Sequence, residues 1–261
     1  MESSLLSVRT DGPIAYVALA RPEVRNAFNA ELIAALQAAF ERLAGDASVR
    51  AVVLSGAGKS FCGGADIQWM RASLELTREA NLEDARAMSR MFRTIDTLDK
   101  PVIGRVHGAA LGGGAGLVAC CDVAIASADT VFGFTETKLG IMPAVISPFV
   151  LAKIGLSHAR ALALTGERFD AARAQAIGLV HEVVATPDDL DAAVARVTAE
   201  VRSASPTGVA ATKALFARVA AETYDATLET TAQAIAVQRT SAEGQDGLRA
   251  FLEKRPPAWT A

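Results

Sequence analysis

The stretch PVIGRVHGAALGGGAGLVACCDVAIAS, residues 101–127, reads as a strand, a glycine loop, a short apolar helix and a second strand. The apolar runs 102–106 and 123–127 are the strands, and their alternation with helix predicts an α/β chain. The helix that begins near Gly114 must end before Asp122, so it has about seven residues, too few for the crossover of a parallel βαβ unit. Gly114, Gly116 and a glutamate 20 residues further on, Glu136, match a relaxed dinucleotide fingerprint. Three more glycines, Gly108, Gly112 and Gly113, widen the loop and argue against it. Gly58-Lys59-Ser60 resembles the end of a phosphate-binding loop, but Val53 stands where that loop needs its first glycine.

A second glycine loop, FCGGADI at 61–67, follows the apolar run AVVLSG at 51–56. Both loops leave a strand and enter a helix, where unpaired N–H groups and the helix dipole favour negative charge. Together they suggest an oxyanion hole for a carbonyl oxygen that gathers charge during reaction. Such chemistry also needs an acid/base, best a carboxylate whose pKa is raised by apolar surroundings. Glu136, within VFGFTETKLGIMP at 131–143, is the candidate; a capping role or an ion pair with Lys138 is the competing reading. Asp66 and Asp122 stand beside the loops and read first as caps or turn residues. His107, at a strand end, reads as a structural histidine, and Cys120 and Cys121 as small buried hydrophobes. Trp69, Met142 and Phe149 read as core residues that also suit a pocket wall.

Working outward, the hairpin signal Asp11-Gly12-Pro13 separates strands at 5–9 and 13–19. Asn29 caps a helix to about Leu43, with Glu31 in its first turn. After the loop at 57–66 comes a helical stretch to about Leu98, interrupted by the polar patch TREANLEDAR (77–86), read as a mobile segment over a cleft. From residue 146 the pattern is helical, with one strand near 179–184 and amphipathic runs at 188–203, 207–222, 225–239 and 243–253. The division is a core over 1–200 and a helical region over 201–261 whose apolar faces suit a neighbouring subunit.

The 261 residues are 51% hydrophobic, enough for a sizeable core, and carry a net charge of −3. That charge gives no field for nucleic acid or an anionic membrane. The three cysteines, two of them adjacent, form neither a disulfide framework nor a metal-ligand spacing, which fits a reducing cytoplasm. The N-terminus MESSLLSVRTDG lacks the pattern of an export signal, and no apolar run is long enough to span a bilayer.

Six ordered blocks resemble the enoyl-CoA hydratase/isomerase, or crotonase, family over nearly the whole chain. They are RPEVRNAFNAEL (21–32), DASVRAVVLSGAGKSFCGGADI (46–67), the stretch at 101–127, FGFTETKLGIMP (132–143), ALTGERFDAARAQAIGLVHEVV (163–184) and FLEKRPPAW (251–259). The resemblance implies a spiral of ββα units with a helical C-terminal oligomerisation region, forming homotrimers or dimers of trimers. It implies an acyl-CoA thioester substrate and no metal or separate cofactor, coenzyme A being part of the substrate. By the same resemblance, Ala65 and Gly113 supply the two oxyanion N–H groups. Asp66, Ile67, Gln68 and Gly116 lie along the substrate, with Gln68 where a lysine is common. Arg25 and, from a neighbouring subunit, Phe251 and Lys254 contact CoA.

One departure is informative: two-glutamate hydratases of the family carry a glutamate two residues after the triple glycine, and here that residue is Gly116. Glu136 is left as the single acid/base. Hydration of a 2-enoyl-CoA is the first reading, because the sequence is similar to hydratases of branched dicarboxylic enoyl-CoAs such as 3-methylglutaconyl-CoA. A delta-3, delta-2-enoyl-CoA isomerase, which needs one carboxylate, and a non-catalytic acyl-CoA binder are the alternatives.

Overall fold

A computed structural model describes residues 5–260; Met1 to Ser4, part of the N-terminal reading above, lie outside the described residues, as does Ala261. The chain runs β1 (Leu6–Asp11), β2 (Ile14–Leu19), α1 (Ala30–Gly45), β3 (Ala51–Gly56), α2 (Ile67–Ser73), α3 (Arg78–Asp96), β4 (Val102–Val106), β5 (Ala109–Leu111), α4 (Gly113–Cys120) and β6 (Val123–Ser127). It continues through β7 (Val131–Gly133), α5 (Ser147–Thr165), β8 (Arg168–Asp170), α6 (Ala171–Ala176), β9 (Glu182–Val184), α7 (Leu190–Ser203), α8 (Pro206–Ala221), α9 (Tyr224–Thr240) and α10 (Ala242–Glu253).

The main sheet has the order β1-β2-β3-β4-β6-β9, antiparallel at the β1–β2 hairpin and parallel across the rest. Its central strands are almost continuously apolar because both faces are covered. Val52, Leu54 and Val102 face a core that includes Phe40, Phe92 and Ile95. The alternate residues, Ala51, Val53 and Ile103, face Leu190 and Val194 of α7.

A second sheet, β5-β7-β8, follows the first in the chain like a shadow: each of β4 and β6 leads directly into a strand of the small sheet and then into helix. This is the α/β spiral of ββα units. The three-residue strands of the small sheet carry no readable alternation, so their pairings, such as Ala110 with Phe132, have no sequence signature.

Two boundaries differ from the sequence reading. The break between residues 67 and 98 falls at Leu74–Thr77, and TREANLEDAR is helical from Arg78, because the Thr77 hydroxyl accepts from Ala80 N–H at 3.2 Å and caps α3. The patch is polar because this part of α3 is partly solvated. The strand near 179–184 is only Glu182–Val184; Leu179 and Val180 are buried in a turn whose N–H groups bond the Ala174 carbonyl.

After Ser203, α8, α9 and α10 pack on one another. Arg50, at the foot of β3, donates to the carbonyls of Trp259, at 3.0 Å, and Ala204, while the Trp259 indole donates to Ser203 O. These bonds tie the end of the chain to the core. Phe216, Tyr224, Leu228, Phe251 and Leu252 of this region are exposed.

Candidate active site

The two glycine loops are zipped together by backbone: Cys62 N–H donates to Ala109 O at 2.9 Å, and Leu111 N–H to Cys62 O at 3.0 Å. Gly64 sits over Leu111, where a Cβ would be 3.0 Å from its carbonyl oxygen. Only glycine fits there, and Gly64 also takes φ +99.

Phe28 joins the halves. Its N–H donates to Gly64 O at 2.7 Å and its carbonyl accepts from Asp66 N–H at 2.8 Å. In an extended segment the groups of the residue between point the opposite way, so the Ala65 N–H is directed away from Phe28. The Phe28 ring lies under Gly113, 3.0 Å from where its Cβ would be. Gly113 is the first residue of α4, and its N–H has no partner within the helix. Among the described residues no backbone acceptor takes either N–H. Ala65 and Gly113 both line a cavity of about 380 Å3 with Trp69, Met88, Met142 and Ile146.

Glu136 lines the same cavity and opens a 3-10 turn, Glu136–Leu139, that Gly140 ends with φ +76. Its carboxylate lies on Gly112, where a Cβ would be 3.1 Å from Oε1. Oε2 is buried and has no hydrogen-bond partner. Burial pushes the Glu136 pKa above its ordinary value. The suggested ion pair with Lys138 is not formed among the described residues, because that side chain is exposed and Glu136 turns inward.

The other candidates separate into three groups. Asp66 is buried, pairs with Arg21 at 2.7 Å and accepts from Gln68 N–H at 2.8 Å as the cap of α2. Its side chain is therefore occupied, whatever its backbone lines. Arg25, Ile67, Gln68, Phe251 and Lys254 are exposed and line none of this cavity. His107, Asp122 and the cysteines are structural: His107 Nε2 bonds Gly58 O at 2.8 Å, and Asp122 accepts from Val102 N–H and pairs with Lys213. Burial pushes the Cys62 and Cys121 thiols up to about 12. Trp69 and Met142 are pocket walls, whereas Phe149 packs on Phe92 with ring centroids 5.8 Å apart.

Gly116 is buried inside α4 and pressed by Ile146 and Phe92, so position 116 presents nothing to the cavity. Sequence reading missed Asn81, Asp84 and Met88, which line the cavity from α3. Asn81 and Asp84 fall in the polar patch read as a mobile segment, which masked their helical spacing, and Met88 lies in the stretch read as helical. Among the described residues no cluster of three metal-ligating side chains occurs, and no helix is long and apolar enough to cross a membrane.

Comparison with known proteins places this geometry. Residues 9–261 match the family model described as enoyl-CoA hydratase/isomerase. A putative enoyl-CoA hydratase of Thermus thermophilus is 35% identical over 94% of this chain and 97% of its own. A short-chain-enoyl-CoA hydratase of Clostridium acetobutylicum is 32% identical over 98% of this chain and 97% of its own. The crystal structure of an enoyl-CoA hydratase from Shewanella pealeana superposes with a TM-score of 0.94 at 39% identity, covering 98% of this chain and 96% of that one.

Proposed function

The chain belongs to the enoyl-CoA hydratase/isomerase family, enzymes of acyl-CoA thioesters, and from that premise we propose that it hydrates a 2-enoyl-CoA with Glu136 as its one acid/base. The observation that carries this reading is the Glu136 carboxylate lying against Gly112, next to the free N–H of Gly113 and in one cavity with that of Ala65.

In the proposed step the thioester oxygen accepts from the Ala65 and Gly113 N–H groups. The Glu136 carboxylate takes a proton from water as the water oxygen bonds the β-carbon, and the electron pair of the double bond moves to an enolate held by the two N–H groups. Glu136 then returns that proton to the α-carbon, so atoms and charge balance with no other reactant. The step needs no separate cofactor. The raised pKa of Glu136 makes its carboxylate a better proton acceptor than an ordinary one, as the first transfer requires.

The closed position 116 favours a second reading, proton transfer between the α and γ carbons of a 3-enoyl-CoA, which one carboxylate also performs. Two assays separate them: loss of the conjugated thioester absorbance from crotonyl-CoA marks hydration, and its gain from 3-hexenoyl-CoA marks isomerisation. A Glu136→Gln variant as fast as the parent in both would refute the role of Glu136.

Exposed Arg25, Ile67 and Gln68 suit the CoA arm outside the cavity. We assign Phe251 and Lys254 to the CoA site of a neighbouring copy in a trimer or a dimer of trimers, with the helical region after residue 200 as the oligomerisation unit. Phe251 is 82% exposed in the single chain, a large apolar surface that supports the assignment. Size-exclusion chromatography with light scattering tests it. Three buried, unpaired thiols support a reducing cytoplasm as the compartment.

A further inference from the structure

Among the described residues, Asp84 is the one cavity-lining charge that the proposed reaction does not use. It stands on α3 one turn before Met88, whose Cε lies 3.1 Å from where a Cβ of Gly113 would be. One turn of helix is about 5.4 Å, so Asp84 follows Met88 along the same wall of the cavity that Gly113 lines. Asp84 is half-buried, and among the described residues its side chain makes no hydrogen bond or ion pair. None of the four arginines of α3 lines this cavity: Arg78 is exposed at the start of the helix, Arg86 pairs with Glu83, and Arg86, Arg90 and Arg93 line a different groove. Among the described residues the cavity wall carries two acids, Asp84 and Glu136, with Trp69, Met70, Met88, Ile141 and Val145 among its apolar residues, and no Lys, Arg or His.

With the CoA arm outside the cavity past Ile67 and Gln68, as proposed above, the acyl chain is left to the cavity that Asp84 lines, and a wall bearing two carboxylates repels anionic groups. We propose that Asp84 determines specificity by excluding acyl chains that end in a carboxylate, so the enzyme takes uncharged enoyl groups. The proposal rests on the acyl-CoA reading above. It runs against the similarity of the sequence to hydratases of dicarboxylic enoyl-CoAs: an anionic chain end would meet Asp84, whose charge nothing on the wall neutralises.

The test uses saturated ligands, so it needs no turnover and fails independently of the assignment of Glu136. Glutaryl-CoA and 5-methylhexanoyl-CoA have nearly the same shape, a carboxylate in one replacing an isopropyl group in the other. Calorimetric titration of the full-length protein is expected to give at least about tenfold tighter binding of the neutral ester. Asp84→Asn narrows that ratio by about tenfold, and Asp84→Arg inverts it. A parent that binds glutaryl-CoA the more tightly, or a ratio that neither substitution moves, overturns the proposal. Turnover then gives the same ordering: the parent prefers crotonyl-CoA to glutaconyl-CoA in kcat/KM, and Asp84→Arg reduces that preference.

Discussion

Ile146 stands so close to Gly116 that a Cβ there would lie 2.9 Å from its own Cβ and overlap its Cγ2, with Phe92 Cε1 3.2 Å away on another side. A side chain at position 116 therefore does not fit α4 as packed, because Ile146, from the segment before α5, fills the space it would need.

The filling has an energetic signature. Gly116→Ala is expected to cost about 1–3 kcal/mol by overpacking, and Ile146→Ala about 2–5 kcal/mol by leaving a cavity. The double variant should be more stable than the sum of the two losses by at least about 1 kcal/mol, measured by urea unfolding. Strict additivity would show that the two residues do not compete for one space.

Gly112 is expected to be irreplaceable for activity. It has φ +52 and ψ −120, a conformation that L side chains rarely adopt, and a Cβ would press on Glu136 Oε1. Gly112→Ala costs about 1–3 kcal/mol in strain and lowers kcat by displacing the carboxylate. The measurement is kcat with crotonyl-CoA alongside thermal unfolding; full activity would mean that Glu136 does not work from this position.

Glu136 links activity to pH and to stability. Burial raises its pKa, so the acid limb of kcat/KM falls at a pH above the ordinary carboxylate range. Glu136→Gln removes the limb together with about 10²–10⁴ of kcat/KM. A raised carboxyl pKa contributes stability that is complete below the unfolded value and lost as pH rises through the folded value. The Gln variant lacks that loss, so in urea at pH 7 it should be the more stable protein, with the advantage shrinking toward pH 4. An equal or lower stability at pH 7 would contradict the burial argument.

Asp66 holds the first glycine loop in place. Burial pushes its pKa up, but the hydrogen bonds from Arg21 and Gln68 N–H outweigh that and leave it lowered. Its stabilising contribution is therefore present above the unfolded carboxylate pKa and disappears as pH falls through the lowered one. The pair is only 12% and 8% exposed, so Asp66→Ala, which leaves Arg21 without its partner, should cost about 3–5 kcal/mol in thermal or urea unfolding. A cost under about 1 kcal/mol would show the pair to be solvated.

Much of this was legible in the chain. Continuous apolar runs marked β3, β4 and β6 because strands covered on both faces need no polar alternation. Asn29 marked the start of α1, and the amphipathic runs after residue 188 marked α7 to α10. The small sheet was not legible, since strands of three residues are defined by their partners and not by their own composition. The start of α3 was misread for a related reason: Arg78 to Arg86 is polar because it is partly solvated, and polarity alone does not separate a solvated helix from a loop.

The sequence by itself determined the glycine loops, a glutamate at 136 and a glycine at 116, because backbone freedom and side-chain chemistry are properties of residue type. Tertiary structure alone decided that Phe28 joins the two loops, that Asp66 is committed to Arg21, that Ile146 closes position 116, and that Asp84 shares a cavity with Glu136. Those are distances between residues far apart in the chain, and they exist only once the two sheets and α3 are packed together.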